Sequence, residues 1–253
     1  MNPKAHAALV TGGASGLGRA TAERLAALGA KVALLDLDGA AARAAAAAIG
    51  GIGIGCDVAS ADDMARAIAE ARAINGPARI LVNCAGIATG QRIVGRDGPQ
   101  PLDAFARVIN VNLIGTFNVM RLAAVDMQTL VPLEDGERGV IISTASVAAF
   151  DGQIGQAAYS ASKGGVAALT LPAAREFAQF GIRVMTIAPG IFGTPMMAGM
   201  PQAVQDALAA AIPFPKMLGR PEQYADLAVH IVENRYLNGE VIRLDGAIRM
   251  APK

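Results

Sequence analysis

Thr11-Gly12-Gly13-Ala14-Ser15-Gly16-Leu17-Gly18 follows the apolar run Ala7-Ala8-Leu9-Val10 and leads into the Ala- and Leu-rich segment Arg19–Leu28. That context reads as strand, tight glycine turn, helix. A turn of this kind presents bare backbone N–H groups at a helix N-terminus, where the macrodipole favours negative charge. Gly12, Gly16 and Gly18 supply conformational freedom and let a pyrophosphate approach the backbone, with Ser15 and Leu17 in the same turn. The ligand class implied is a dinucleotide.

Outward from the turn, short β-type runs alternate with helical segments. Strands are expected at Ala7–Thr11, Lys31–Asp36, Ile52–Asp57, Ile80–Asn83, Gly139–Thr144, Ile182–Ala188 and Glu240–Leu244. Helices are expected at Leu17–Leu28, Gly39–Ile49, Ala61–Ile74, Leu102–Gln128, Ala157–Phe180 and Glu222–Glu233. The alternation implies βαβ units, hence an α/β, doubly wound parallel sheet of seven strands with helices on both faces, in one domain over residues 1–253. Two stretches break the pattern. Thr89–Pro101 is rich in Gly, Pro and charge, and Pro189–Pro215 carries several prolines with Phe192, Met196, Met197, Met200 and Phe214.

The composition fits that architecture. Hydrophobic residues make up 53% and charged residues 17%, which suits strands covered on both sides. A net charge of +1 gives no reason to expect nucleic acid or an anionic membrane as partner. Cys56 and Cys84 lack metal-ligand spacing, so no metal is expected, and free thiols suit a reducing compartment. No continuous apolar run approaches the ~18 residues of a membrane span. The first strand begins too early to leave room for a leader, and the expected setting is cytoplasmic.

Three groups of residues specify chemistry. Asp36 ends the second strand 18 residues after Gly18, where a carboxylate accepts hydrogen bonds from an adenosine ribose and repels a 2′-phosphate. NAD is therefore expected over NADP. Tyr159 and Lys163 stand four apart on one helix face, so an ammonium can be held near a phenol. A free tyrosine, with a pKa of ~10, is a poor base until a neighbouring cation favours its phenolate. Asn83-Cys84-Ala85-Gly86, Asn110-Val111-Asn112 and Ser143-Thr144-Ala145-Ser146 lie at or just after strand ends, where open parallel sheets place their sites.

On these motifs the chain resembles the short-chain dehydrogenase/reductase family, whose single-domain Rossmann fold it would share. TGxxxGxG is met by Thr11–Gly18 and the NAG motif by Asn83, Ala85 and Gly86, with Cys84 replacing a commoner asparagine. The resemblance implies a catalytic set of Asn112, Ser146, Tyr159 and Lys163, with Tyr159 at the family spacing of 13 residues after Ser146. In that scheme Ser146 binds the reacting oxygen and Tyr159 exchanges the proton. Lys163 holds the ribose and lowers the Tyr159 pKa, and Asn112 supports a water leading from Lys163 to solvent. Asp57 and Val58 would contact adenine, while Pro189, Gly190, Phe192 and Thr194 would hold the nicotinamide.

Within the family, Ala145–Phe150, Gly152–Tyr159, Ile187–Pro195 and Leu237–Met250 resemble 3-hydroxyacyl-CoA dehydrogenases of type 2. That likeness implies an acyl-CoA substrate and a homotetramer assembled through Ala157–Phe180 and the C-terminal strand region. Gln156 is a candidate wall residue for the thioester, Arg92 and Arg96 are candidates for CoA phosphates, and Phe192–Phe214 is a candidate lid. The alternatives are another secondary alcohol, such as a hydroxysteroid or an acyl-carrier-protein thioester, and a dinucleotide-binding scaffold without catalysis.

Overall fold

The computed structural model describes residues 1–96, 98–198 and 201–252. Seven parallel strands form one sheet in the order β3-β2-β1-β4-β7-β8-β9. They are β1 (Ala7–Thr11), β2 (Lys31–Asp36), β3 (Ile52–Gly55), β4 (Ala78–Asn83), β7 (Gly139–Thr144), β8 (Ile182–Pro189) and β9 (Val241–Leu244). β5 (Val94–Gly95) and β6 (Gly98–Pro99) make a small antiparallel hairpin inside the Thr89–Pro101 loop. The doubly wound α/β expectation holds.

The helices are α1 (Gly16–Ala27), α2 (Gly39–Ala47), α3 (Ala61–Asn75), α4 (Leu102–Ile109), α5 (Gly115–Gln128), α6 (Ala157–Phe177), α7 (Pro195–Ala198), α8 (Gln202–Ala211) and α9 (Pro221–Glu233). Strand residues alternate between two cores. Leu9, Leu81, Ile141 and Val184 pack under α3, α5 and α6, whereas Val10, Val82, Ile142 and Ile187 pack under α1, α2 and α9. Every residue of β7 and β8 is buried, as apolar strands covered on both faces must be. Local signals set the helix ends. Ser60 accepts the Asp63 N–H at the start of α3, Asp38 accepts two amides at the start of α2, and Pro221 opens α9.

Two expectations change. The run Leu102–Gln128 is not one regular helix, because Asn110–Ile114 forms a π turn between α4 and α5. A π turn inserts an extra residue per turn and is a common feature of functional sites. Nor was a run of membrane-spanning character expected, yet with a mean hydropathy of 1.4 this one meets the measure of a membrane-crossing helix by length and composition. Half of that window is buried inside the protein, however, with Val119, Met120, Ala123 and Met127 in the core. Pro189–Pro215, the stretch outside the strand–helix alternation, contains α7 and α8; Met200 lies outside the described residues.

Candidate active site

The carboxyl ends of β1, β2, β4, β7 and β8 carry the residues singled out by their motifs, and the glycine turn occupies the centre of that edge. Its glycines do different jobs. A Cβ on Gly18 would lie 2.2 Å from the Gly12 carbonyl oxygen, and one on Gly12, which has a φ of +62°, would lie 2.8 Å from the Ala85 amide. Both are demanded by backbone packing, a reason different from the expected approach of a ligand. Thr11 completes the joint, its hydroxyl accepting the N–H groups of Cys84 and Ala85, both at 3.2 Å. Among these glycines, Gly16 faces the segment after β8: its nearest contact would be Thr194 Cγ2 at 3.5 Å. The fold thereby brings Thr194 across from the turn.

The first turn of α1 holds no acidic residue, and the Ser15 side chain, which is exposed, makes no capping hydrogen bond. Its forward amides are thus left for an anion. Asp36 is partly buried and accepts from Ala14 N at 3.1 Å and Asp38 N at 3.2 Å. Two carboxylate oxygens offer about four acceptor positions, so capacity for ribose hydroxyls remains. The next residue, Leu37, is exposed and apolar. This arrangement fits a nicotinamide dinucleotide.

Lys163 and Asn112 sit at the heart of the edge. Lys163 is buried, and its ammonium donates to the Thr144 carbonyl at 2.7 Å while lying 5.9 Å from the Tyr159 ring centroid. Burial lowers its pKa to about 8. Burial pushes the Tyr159 pKa up, and the neighbouring Ser146 hydroxyl opposes the rise. The expected depression by Lys163 is not among the influences on Tyr159 in the protein without cofactor. Ser146 also accepts from Ala148 N at 3.1 Å, which fixes its rotamer at the end of the β7 loop. Asn112, fully buried in the π turn, clamps Ile87 from both sides, accepting its N–H at 2.8 Å and donating to its carbonyl at 2.9 Å. Its carbonyl receives the Thr116 hydroxyl at 2.7 Å, and its amide also reaches Ser162 Oγ at 3.0 Å. A Cβ on Gly86 would stand 3.1 Å from Asn112 Oδ1 and 3.5 Å from Lys163 Nζ, so the glycine leaves these two groups room.

Several expected contacts are redirected. Asn83 is buried with neither side-chain atom hydrogen-bonded, and it lies on the α3/α5/α6 side of the sheet beneath the edge. Val58 turns its side chain into the core against Gly115, and its carbonyl accepts from Asn118 at 2.9 Å. Asp57 is occupied with its own loop, accepting from Ala59 N at 2.9 Å. Phe192 packs its ring on Gly219 and is buried, so its side chain supports the segment rather than facing a ligand. Pro189 ends β8, and Gly190 is required by its approach to Asp245, where a Cβ would meet Cα at 2.8 Å. Gln156 accepts from Gln153 N at 3.1 Å and is held in its own loop. Arg92 and Arg96 are both exposed, and Arg92 lines an open groove of about 640 Å³ together with Ile93, Gln153, Ile154 and Ser160. Thr11, Thr144 and Tyr224 belong to the site's framework, and of these Tyr224 lies in no motif that marks it. Among the described residues no cluster of His, Cys, Asp and Glu is built to hold a metal.

A family model described as short chain dehydrogenase matches residues 6–205. The chain belongs to this family. It is 54% identical over 249 residues to "3-hydroxyacyl-CoA dehydrogenase type-2" of Homo sapiens, covering 97% of this chain and 95% of the relative. A "(3R)-3-hydroxyacyl-CoA dehydrogenase" of Mus musculus is 38% identical over 258 residues, covering 96% of each. The crystal structure of 3-hydroxyacyl-CoA dehydrogenase type-2 from Mycobacterium avium superposes with a TM-score of 0.93 at 43% identity, and each chain is covered in full. The chain is thus a short-chain dehydrogenase-type oxidoreductase, with a nicotinamide dinucleotide as its cofactor class.

Proposed function

We propose that this chain is an NAD-linked 3-hydroxyacyl-CoA dehydrogenase interconverting 3-hydroxyacyl-CoA and 3-oxoacyl-CoA thioesters. The observation that carries the reading is the convergence of Ser146, Tyr159 and Lys163 at one strand edge in a chain so similar to relatives of that name. The glycine-turn amides and Asp36 would hold the adenosine half of the cofactor, and Lys163, Thr194 and the segment after Pro189 the nicotinamide half. Asp36 followed by Leu37 supports NAD, since a 2′-phosphate would meet a carboxylate.

When bound, the dinucleotide accepts or supplies the hydride. Ser146 donates a hydrogen bond to the substrate oxygen, which favours the developing alkoxide. Tyr159 takes the alcohol proton in oxidation and returns it in reduction. Burial holds that phenol up in the protein without cofactor, so a positive charge beside it is needed for proton acceptance near neutrality. Lys163 supplies one such charge, buried on the same helix face. The open groove of about 640 Å³ beside the start of α6, with Arg92 in its wall, supports a long anionic substrate.

NADH formation should be followed at 340 nm across 3-hydroxyacyl-CoA esters of varied length and branching, alongside hydroxysteroids and acyl-carrier-protein thioesters. Preference for the CoA esters supports the reading; turnover of steroids or carrier-protein thioesters alone overturns it. We also propose a homotetramer. Exposed Ile114, Phe117 and Val125 on the π turn and α5, with Leu171 on α6, leave an apolar surface suited to a second copy. A monomer by light scattering would refute that.

A further inference from the structure

We propose that Tyr224 is a positioning residue for Lys163, acting from the opposite face of the sheet through Thr144. The proposal rests on the reading of Lys163 as the ammonium that serves the site. Tyr224 lies on α9, in the core shared with α1 and α2, whereas Lys163 lies on α6 above the other face. The residue joining them is Thr144 at the end of β7. Its side chain points towards α9 and its carbonyl towards α6.

The proton directions in this chain are determined. Thr144 Oγ1 is 2.5 Å from the Asn83 carbonyl, which can only accept, so the Thr144 hydroxyl donates there. Its lone pair then receives the Tyr224 hydroxyl at 2.7 Å. Cys84 Sγ stands 3.6 Å from Thr144 Oγ1 and 3.7 Å from the Tyr224 hydroxyl, closing a buried polar cluster. Packing alone would be satisfied by phenylalanine, because Tyr224 is fully buried among apolar residues. A buried hydroxyl with a fixed acceptor instead ties β7 to β4 and to α9 at one point.

That point matters because Lys163 has no carboxylate partner among the described ion pairs. Its ammonium donates to the Thr144 carbonyl at 2.7 Å. The titratable groups around the ammonium are Cys84 at the end of β4, Tyr159 on its own helix and, beyond Thr144, Tyr224. Burial pushes the Cys84 thiol and the Tyr224 phenol upward, so both stay neutral near pH 7 and neither supplies charge. The ammonium is therefore aimed by a backbone dipole, and a dipole aims only as well as its peptide is held. Tyr224 holds that peptide.

The test compares Tyr224→Phe, Thr144→Val and Thr144→Ser in the cofactor-free protein and with NADH. With ¹³C-labelled lysine, the ε-carbon of Lys163 is assigned by its loss in Lys163→Met, the other lysines being Lys4, Lys31, Lys216 and Lys253. Tyr224→Phe and Thr144→Val should lower the Lys163 titration midpoint by half a unit or more and weaken NADH binding three- to tenfold. Thr144→Ser, which keeps the hydroxyl, should retain the parent midpoint and affinity. If Tyr224→Phe and Thr144→Val lower Tm but leave both readouts at parent values, the hydroxyl serves stability alone and the proposal falls. Should Tyr224→Phe not fold, Thr144→Val against Thr144→Ser decides it. Both readouts are independent of substrate, so a parent that oxidises no 3-hydroxyacyl-CoA ends the proposed function without deciding this inference.

Discussion

Replacing Lys163 by methionine should make the cofactor-free protein more stable at neutral pH while removing its activity. Lys163 titrates at about 8 in the folded chain against 10.5 for an ordinary lysine. A base whose pKa is lowered on folding opposes folding wherever the folded state must carry its charge. Each pH unit corresponds to about 1.4 kcal/mol, so below pH 8 the buried ammonium costs about 3.5 kcal/mol, its hydrogen bond to Thr144 already included. Methionine, similar in length and uncharged, would remove that cost. For a chain of this size that is a rise in Tm of roughly 7–14 °C. Between pH 8 and 10.5 the unfolded chain holds more protons than the folded one, so the parent gains stability as pH rises. The gap between the two proteins should therefore close across that window. Differential scanning calorimetry of both proteins without cofactor, from pH 7 to 10.5, reads it directly. A variant less stable than its parent at pH 7, or a gap that does not change with pH, refutes the reasoning.

Tyr159→Phe should lower kcat by a factor of about 10³ or more with NADH affinity retained, since only the transferable proton is lost; substantial turnover would remove Tyr159 from its proposed role. Asp36→Ala should weaken NAD binding by roughly ten- to a hundredfold, as hydrogen bonds to a charged group are worth about 1.5–3 kcal/mol. It should also narrow the NAD-to-NADP ratio, measured by paired kcat/KM values; an unchanged ratio would rule out the ribose contact. Gly18→Ala should destabilise the fold by about 1–3 kcal/mol through its clash with the Gly12 carbonyl, read as a fall in Tm without cofactor. Phe117→Asp should shift the assembly towards smaller species in light scattering, because a charge would enter an apolar contact.

The layout of the fold was legible because its signals are local. β1, β2 and β7 begin and end where their apolar runs do, and α3 starts at its capping serine. The pairing of Tyr159 with Lys163 was likewise open to reading, since a helix repeats on one face every three to four residues, while Ser146 was joined to them by the family resemblance. The π turn was not. Asn110–Ile114 has the composition of a plain helix, and its extra residue answers to contacts that Asn112 makes with Ile87 and Ser162, both distant in sequence.

The same division runs through the glycine turn. By itself the sequence determined that Thr11–Gly18 links a strand to a helix N-terminus, and that chemistry was available at Ser146, Tyr159 and Lys163. Only the tertiary structure decided what each residue there does. Gly12 and Gly18 are required by the backbone just after β4 and by that of the turn itself, and Asn83 is buried under the edge. Phe192 is turned onto Gly219, and Tyr224 holds the peptide that holds Lys163. The physical reason is that backbone conformation and helix periodicity are written in neighbouring residues. Close approaches and hydrogen-bond partners arise between segments that meet only when the sheet is assembled.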